Sequence, residues 1–172
     1  MVGPRRQEIL DVHSLAHGRS AESARQQMFA DDTLPRHAAR EGFRFLAALE
    51  SDGSLGGFAY GYTGASGQWW HDQVARAMDA ATFREWLQPL HFEFCELAVR
   101  PDLQGIGLGG ALHDALLADR PEPRALLSTA RDDNDAVIAF YERRGWRIVV
   151  PDLVFQGAFE PFCVMGRELA AR

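Results

Sequence analysis

The chain has 172 residues, 47% of them hydrophobic and 24% charged, enough apolar chain for one core and too polar overall for a membrane protein. Its formal charge of −6 is a poor balance for coating phosphate backbones, so nucleic acid is not expected as a partner. No run approaches the roughly 18 uninterrupted apolar residues of a bilayer span, and no membrane partner is expected.

All 18 basic residues are arginine. Their identity excludes a Walker A lysine, a pyridoxal Schiff base and any lysine nucleophile. Two cysteines, Cys95 and Cys163, are too few for a disulfide framework or a four-thiolate zinc site. The N-terminal run Met1–Asp11 reads as lacking the apolar core of a signal peptide, and a reduced, cytoplasmic setting is the expectation.

In chain order, Pro4 opens a helix in which Ile9, Val12, His13 and Ala16 recur at helical spacing, and Gly18 closes it. Ser20 is expected to cap a second helix through about Ala30. Phe43–Leu49 and Leu55–Thr63 read as a hairpin around Ser51-Asp52-Gly53-Ser54, with Phe58, Tyr60 and Tyr62 on one face. Residues 64–90 then carry Trp69-Trp70-His71 and a helix expected over Asp72–Leu87.

A strand over His91–Val99 leads through a glycine-rich turn into a helix striped by Leu108, Ala111, Leu112, Ala115 and Leu116. Pro121 and Pro123 end that helix, and Arg124–Ala130 is the next strand. Asn134 is expected to cap a last helix carrying Val137, Phe140 and Tyr141, with Gly145 beyond its end. Trp146–Val150 and Phe162–Leu169 close the chain as antiparallel strands. No repeat or linker divides it, so a single domain over residues 1–172 is expected, of mixed α+β type rather than a uniform βαβ alternation.

The turn Gln104-Gly105-Ile106-Gly107-Leu108-Gly109-Gly110 sits between a strand and a helix, where successive backbone N–H groups suit a phosphate or pyrophosphate. Gly105, Gly107 and Gly110 also satisfy the dinucleotide pattern G-x-G-x-x-G, and Asp132 lies roughly where a ribose-binding acid could fall. Context opposes a nicotinamide site: Arg100-Pro101-Asp102-Leu103-Gln104 separate strand from glycine, and too few βαβ units follow. Glycines that merely let a helix pack closely are the bland alternative, at about 1 kcal/mol each relative to Ala in a helix interior.

Glu96–Gly109 resembles the acyl-CoA-binding motif of the GCN5-related N-acetyltransferases, Gln/Arg-x-x-Gly-x-Gly/Ala, through Gln104, Gly107 and Gly109. Asn134–Trp146 resembles the family's second motif, and the two stand in order at the right spacing. The resemblance implies a central, mostly antiparallel sheet with one parallel, splayed strand pair, flanked by helices. It implies acetyl-CoA as cosubstrate and direct acetyl transfer from the thioester to a primary amine, expected to belong to a small molecule.

By the same resemblance, the N–H groups of Gln104, Gly105, Ile106, Gly107, Leu108 and Gly109 hold the pyrophosphate. Leu97 and Val99 pair with the pantetheine arm, a strand amide near Leu97 faces the thioester carbonyl, and Asn134 and Phe140 lie near the cofactor. Tyr141 matches the tyrosine that protonates the departing thiolate, although an aromatic residue on a buried helix face would have the same spacing. Glu96 is the expected base for the amine, with Glu93 and His91 as alternatives. A non-catalytic acyl-CoA sensor is the competing reading, and the acceptor, acyl chain length and homodimer formation stay open.

His13 and His17 stand at i, i+4 on a helix, a spacing that suits a metal, but no third ligand is evident and no metal is expected. Residues 64–90 exceed the family's usual connection and read as an insertion near the acceptor site. Trp69 and Trp70 would then form either a pocket wall or an anchor for the inserted helix. The family also begins with an edge strand before its first helix. Here a helix starts by Pro4, so that strand is expected to be missing or truncated, which bears on stability and on any dimer interface.

Overall fold

The structure is a computed structural model, and it describes residues 5–169; Pro4, read above as the helix opener, lies outside them. The chain forms two compact units, one running up to Tyr62 and joined by Cys95–Ala118, the other comprising Thr63–Phe94 with the segment from Asp119 onward. Hydrogen-bonded strand neighbours follow the order β1 (Arg44–Leu49), β2 (Leu55–Gly64), β3 (His91–Val99), β4 (Arg124–Ala130), β6 (Phe162–Glu168), β5 (Arg147–Leu153).

The first unit opens with α1 (Arg6–Ala16), whose Ile9, Leu10, Val12 and His13 are buried. Helix α2 (Ala24–Met28) is capped by Ser23, in extended conformation, whose hydroxyl accepts the N–H of Gln26. Ser20 is therefore not the cap; its hydroxyl accepts only the N–H of Glu22. Nor does the helix stop at Ala30. It widens to i→i+5 bonding over Phe29–Thr33 and continues as α3 (Leu34–Ala38), with Pro35 in its first turn. The proline has no N–H to lose there, and the wide turn accommodates its ring.

Strands β1 (Arg44–Leu49) and β2 (Leu55–Gly64) form the expected antiparallel hairpin, Arg44 opposite Gly61 and Ala47 opposite Phe58. Ile9, Val12, Phe29, Leu34, Leu55, Phe58, Tyr60 and Ala98 form this unit's core. Helix α6 (Leu108–Leu117) completes it, with Leu112 and Leu116 buried.

The second unit holds α4 (Trp69–Ala77), a short α5 (Ala80–Thr82) with wide turns over Phe83–Leu87, β4 (Arg124–Ala130), α7 (Asp135–Glu142), β5 (Arg147–Leu153) and β6 (Phe162–Glu168). The helix expected over Asp72–Leu87 is thus two pieces. Met78 is extended, and Asp79 restarts the helix by accepting the N–H of Thr82 at 2.7 Å. Strand β4 pairs antiparallel with β6 along all seven residues, and β5 pairs antiparallel with β6. The β5 register shifts between Ile148 and Val150 and again between Val150 and Leu153, around Pro151, which has no N–H for the ladder.

Strand β3 (His91–Val99) starts in the second unit and ends in the first. Its parallel ladder with β4 consists of His91–Arg124, Phe92–Ala125 and Glu93–Leu126. The mixed sheet, mostly antiparallel with one parallel pair and flanked by helices, agrees with the fold expected from sequence.

Candidate functional site

The glycine-rich turn is built from both ends. On the β3 side, Gly56 and Gly57 of β2 let the chain come close. A Cβ on Gly57 would lie 2.9 Å from the Ala98 carbonyl, and one on Gly56 would lie 2.7 Å from Leu103 Cδ1. The Arg100 N–H donates to the Gly56 carbonyl at 2.9 Å, closing the exit of β3. Gln104 then reaches back, its Nε2 donating to the Val99 carbonyl at 3.0 Å, so this side chain braces the turn.

Gly105 and Gly107 take φ +79° and +93°, with nothing within 4 Å of the position a Cβ would occupy. Left-handed backbone, not crowding, is what these two positions require. Gln104, Gly105, Ile106 and Gly107 are exposed, and Leu108 and Gly109 start α6. A helix start has no preceding turn of carbonyls for its first N–H groups, so these donors and the helix dipole are available to an anion.

Immediately before the turn, Cys95, Glu96 and Leu97 are three consecutive partly exposed residues in a strand otherwise buried from His91 to Val99. Glu96 does not stand free. Its Oε2 lies 3.1 Å from Nε2 of His13 and its Oε1 lies 3.1 Å from Nε2 of His17, the C-cap residue of α1. Burial pushes the Glu96 carboxyl up, but hydrogen bonds from His13 and His17 and the charge of those rings outweigh it and hold the group at about 2. His13 is itself pinned. It stacks on Phe29, with ring centroids 3.8 Å apart, and its Nδ1 lies 2.5 Å from Gln26 Oε1. Sequence reasoning had both histidines and Glu96 as candidates, but not their meeting; the histidine spacing was the signal, and the partner lies 83 residues away from His13.

In the second unit, Tyr141 is 8% exposed and held edge-on by three rings: Phe94 at 6.1 Å, Trp146 at 5.7 Å and Phe140 at 5.1 Å between centroids. Phe140 in turn carries the Arg144 guanidinium 3.9 Å above its ring. Asn134 occupies the N-cap position of α7, its carbonyl accepting from Val137 and Ile138, but its side chain does not cap. Instead Nδ2 donates to Thr129 Oγ1 at 2.8 Å and to the Ala130 carbonyl at 2.9 Å, fastening the helix start to the end of β4. The expected side-chain cap gives way because φ −130° and ψ 21° at Asn134 are not the extended geometry of a capping residue.

The alternative bases, Glu93 and His91, are both buried. His91 donates Nδ1–H to the Pro89 carbonyl and stacks on His71 at 5.5 Å, and burial lowers its pKa. Trp70 anchors α4, its Nε1–H donating to Ser128 Oγ at 2.9 Å. Trp69 lies 5.5 Å from Phe155 and is 53% exposed.

A strand with a half-open midsection thus runs into an exposed, left-handed glycine turn at a helix start. The chain matches the model of the acetyltransferase (GNAT) family over residues 7–146 and belongs to that family, whose general reaction is acetyl transfer from acetyl-CoA. It is 31% identical, over 92% of its own length and 87% of the relative's, to a GCN5-like protein acetyltransferase, Rv2170, of Mycobacterium tuberculosis. Among solved structures it resembles aminoglycoside 6'-acetyltransferase type Ii, with TM-score 0.67, 17% identity and coverage of 99% of this chain and 93% of that one. It also resembles an aminoglycoside 6'-N-acetyltransferase complexed with coenzyme A, with TM-score 0.63, 16% identity and coverage of 97% and 92%. At these identities the two structures speak for the fold.

Proposed function

We propose that this protein transfers an acetyl group directly from acetyl-CoA to a primary amine, without an acyl-enzyme. The observation that carries the reading is the exposed turn at Gly105 and Gly107, braced by Gln104 and opening α6. Backbone N–H groups from Gln104 to Gly109 bind the pyrophosphate. The β3 backbone at Leu97 and Val99 pairs with the pantetheine arm, and an amide near Leu97 stabilises the oxygen of the tetrahedral species. Asn134 and Phe140 support the cofactor side of α7.

Tyr141 supplies the proton to the departing thiolate. Its ring is fixed by Phe94, Phe140 and Trp146, which suits a group that has to present one hydroxyl in one direction. The amine must first lose a proton. For an alkylammonium near pKa 10.4 that costs about 4.6 kcal/mol at pH 7. Glu96, on the half-open stretch of β3 beside the proposed thioester position, is the group that takes the proton, directly or through a water.

A small amine is the expected acceptor. An amine on a protein is the second reading, favoured by the 31% identity to a relative named as a protein acetyltransferase. Thiol release from acetyl-CoA in the presence of small amines, with mass spectrometry of protein acceptors, separates the two. Tyr141→Phe is expected to lose about 100-fold or more in turnover while binding acetyl-CoA as well as wild type does. Unchanged turnover would remove Tyr141 from the chemistry.

A further inference from the structure

The group formed by His13, His17 and Glu96 holds more than a salt bridge requires. One ligand atom from each of the three residues lies within 4.8 Å of the others. His13 lies in the last turn of α1 and His17 is its C-cap, with its N–H donating to the His13 carbonyl, and Glu96 comes from β3 in the same unit. Both imidazoles present Nε2, each 3.1 Å from one carboxylate oxygen. Ligands about 2.1 Å from a common ion stand about 3.0–3.4 Å apart in octahedral or tetrahedral coordination, a spacing that both imidazole–carboxylate pairs already have.

The support behind His13 points the same way. Gln26 is 0% exposed, and its Oε1 sits 2.5 Å from His13 Nδ1. With Nδ1–H donating to that amide oxygen, Nε2 is the nitrogen left facing the Glu96 carboxylate, 3.1 Å away, where a proton or a metal ion can bridge the two. An imidazole whose far nitrogen donates to a fixed carbonyl oxygen is the usual outer support of a metal ligand.

We propose that His13 Nε2, His17 Nε2 and the Glu96 carboxylate bind one divalent transition-metal ion of the zinc or cobalt class. Two imidazoles and one carboxylate suit borderline ions rather than Mg²⁺ or Ca²⁺, which prefer all-oxygen shells. The side chain of His17 is 36% exposed, against 8% for His13, so the remaining coordination positions open on the His17 side. Resting on the base assignment above, the ion takes up the Glu96 carboxylate that would accept the amine's proton, and metal occupancy inhibits transfer.

The test is titration of chelator-treated protein with Co²⁺, followed by its visible absorption, and with Zn²⁺ by calorimetry. One equivalent is expected to saturate wild type. His17→Ala, at the more exposed ligand, and Glu96→Gln are expected to bind at least 100-fold more weakly with unchanged circular dichroism. Gln26→Ala is expected to weaken binding about 10-fold to 100-fold. No Co²⁺ spectrum, or equal affinity in His17→Ala and wild type, overturns the site. Because binding is read without acetyl-CoA, that result leaves the transferase reading standing. Stoichiometric binding with undiminished turnover would instead overturn the base assignment.

Discussion

Gly107 stands directly before α6 with φ +93° and ψ −7°, and open space surrounds the position of a Cβ. Gly107→Ala therefore meets no clash, only the left-handed penalty of about 1–2 kcal/mol. Relief of that strain re-aims the N–H groups of the turn, and the expected result is a rise of about tenfold in the acetyl-CoA dissociation constant by calorimetry. An unchanged constant would remove the turn from the cofactor site. The glycine pattern was legible in the sequence because left-handed positions and glycine go together. Other residue roles were not. Asn134 reads as a cap from its type and place, yet its amide turns to Thr129 and the end of β4. Trp70 reads equally well as pocket wall or anchor, and the bond to Ser128 makes it an anchor.

Among the elements, β6 depends on a glycine that no turn requires. Trp86, 2% exposed, lies flat against Gly166, where a Cβ would meet Cε3 and Cζ3 at 2.5 Å. The indole cannot give way freely, since the Arg124 and Arg147 guanidiniums lie 5.4 and 4.7 Å from its ring. Gly166→Ala overpacks this contact and is expected to cost about 1–3 kcal/mol. At about 2–4 °C per kcal/mol for a chain of this length, thermal melting reads it directly. Trp86→Leu removes the ring and is expected to make Gly166→Ala nearly neutral in the double variant; strict additivity of the two changes would refute the contact as the cause.

Element types followed from hydrophobic period and turn residues, and β3, β4 and the β1–β2 hairpin fell where those signals placed them. The helical run from Ala24 to Ala38 did not: its expected end was about Ala30, while a wide i→i+5 turn over Phe29–Thr33 carries it on into α3. The break at Met78 was equally hidden, since nothing local forbids a helix there and Asp79 only restarts one.

For the molecule as a whole, family membership implies that acetyl-CoA binds the folded chain and not the unfolded one. Mass action then stabilises the fold by about 2.7 kcal/mol at 100 times the dissociation constant. A thermal shift with acetyl-CoA and none with NAD is expected. A shift with NAD alone would revive the dinucleotide reading of Gly105, Gly107 and Gly110. Among the described residues no helix is long and apolar enough to cross a membrane, in keeping with the hydropathy of the chain.

The sequence by itself determined the mixed sheet, the left-handed glycine turn and the family, because each rests on local signals: period, turn chemistry and motif spacing. Only the tertiary structure decided that Glu96 shares its carboxylate between His13 and His17, that Gln26 orients His13, and that Gly166 exists to admit Trp86. Those contacts join residues 13 to 83 positions apart. Which side chains meet across such distances depends on how a helix face settles on a strand, and that is a property of packing, not of any window of sequence.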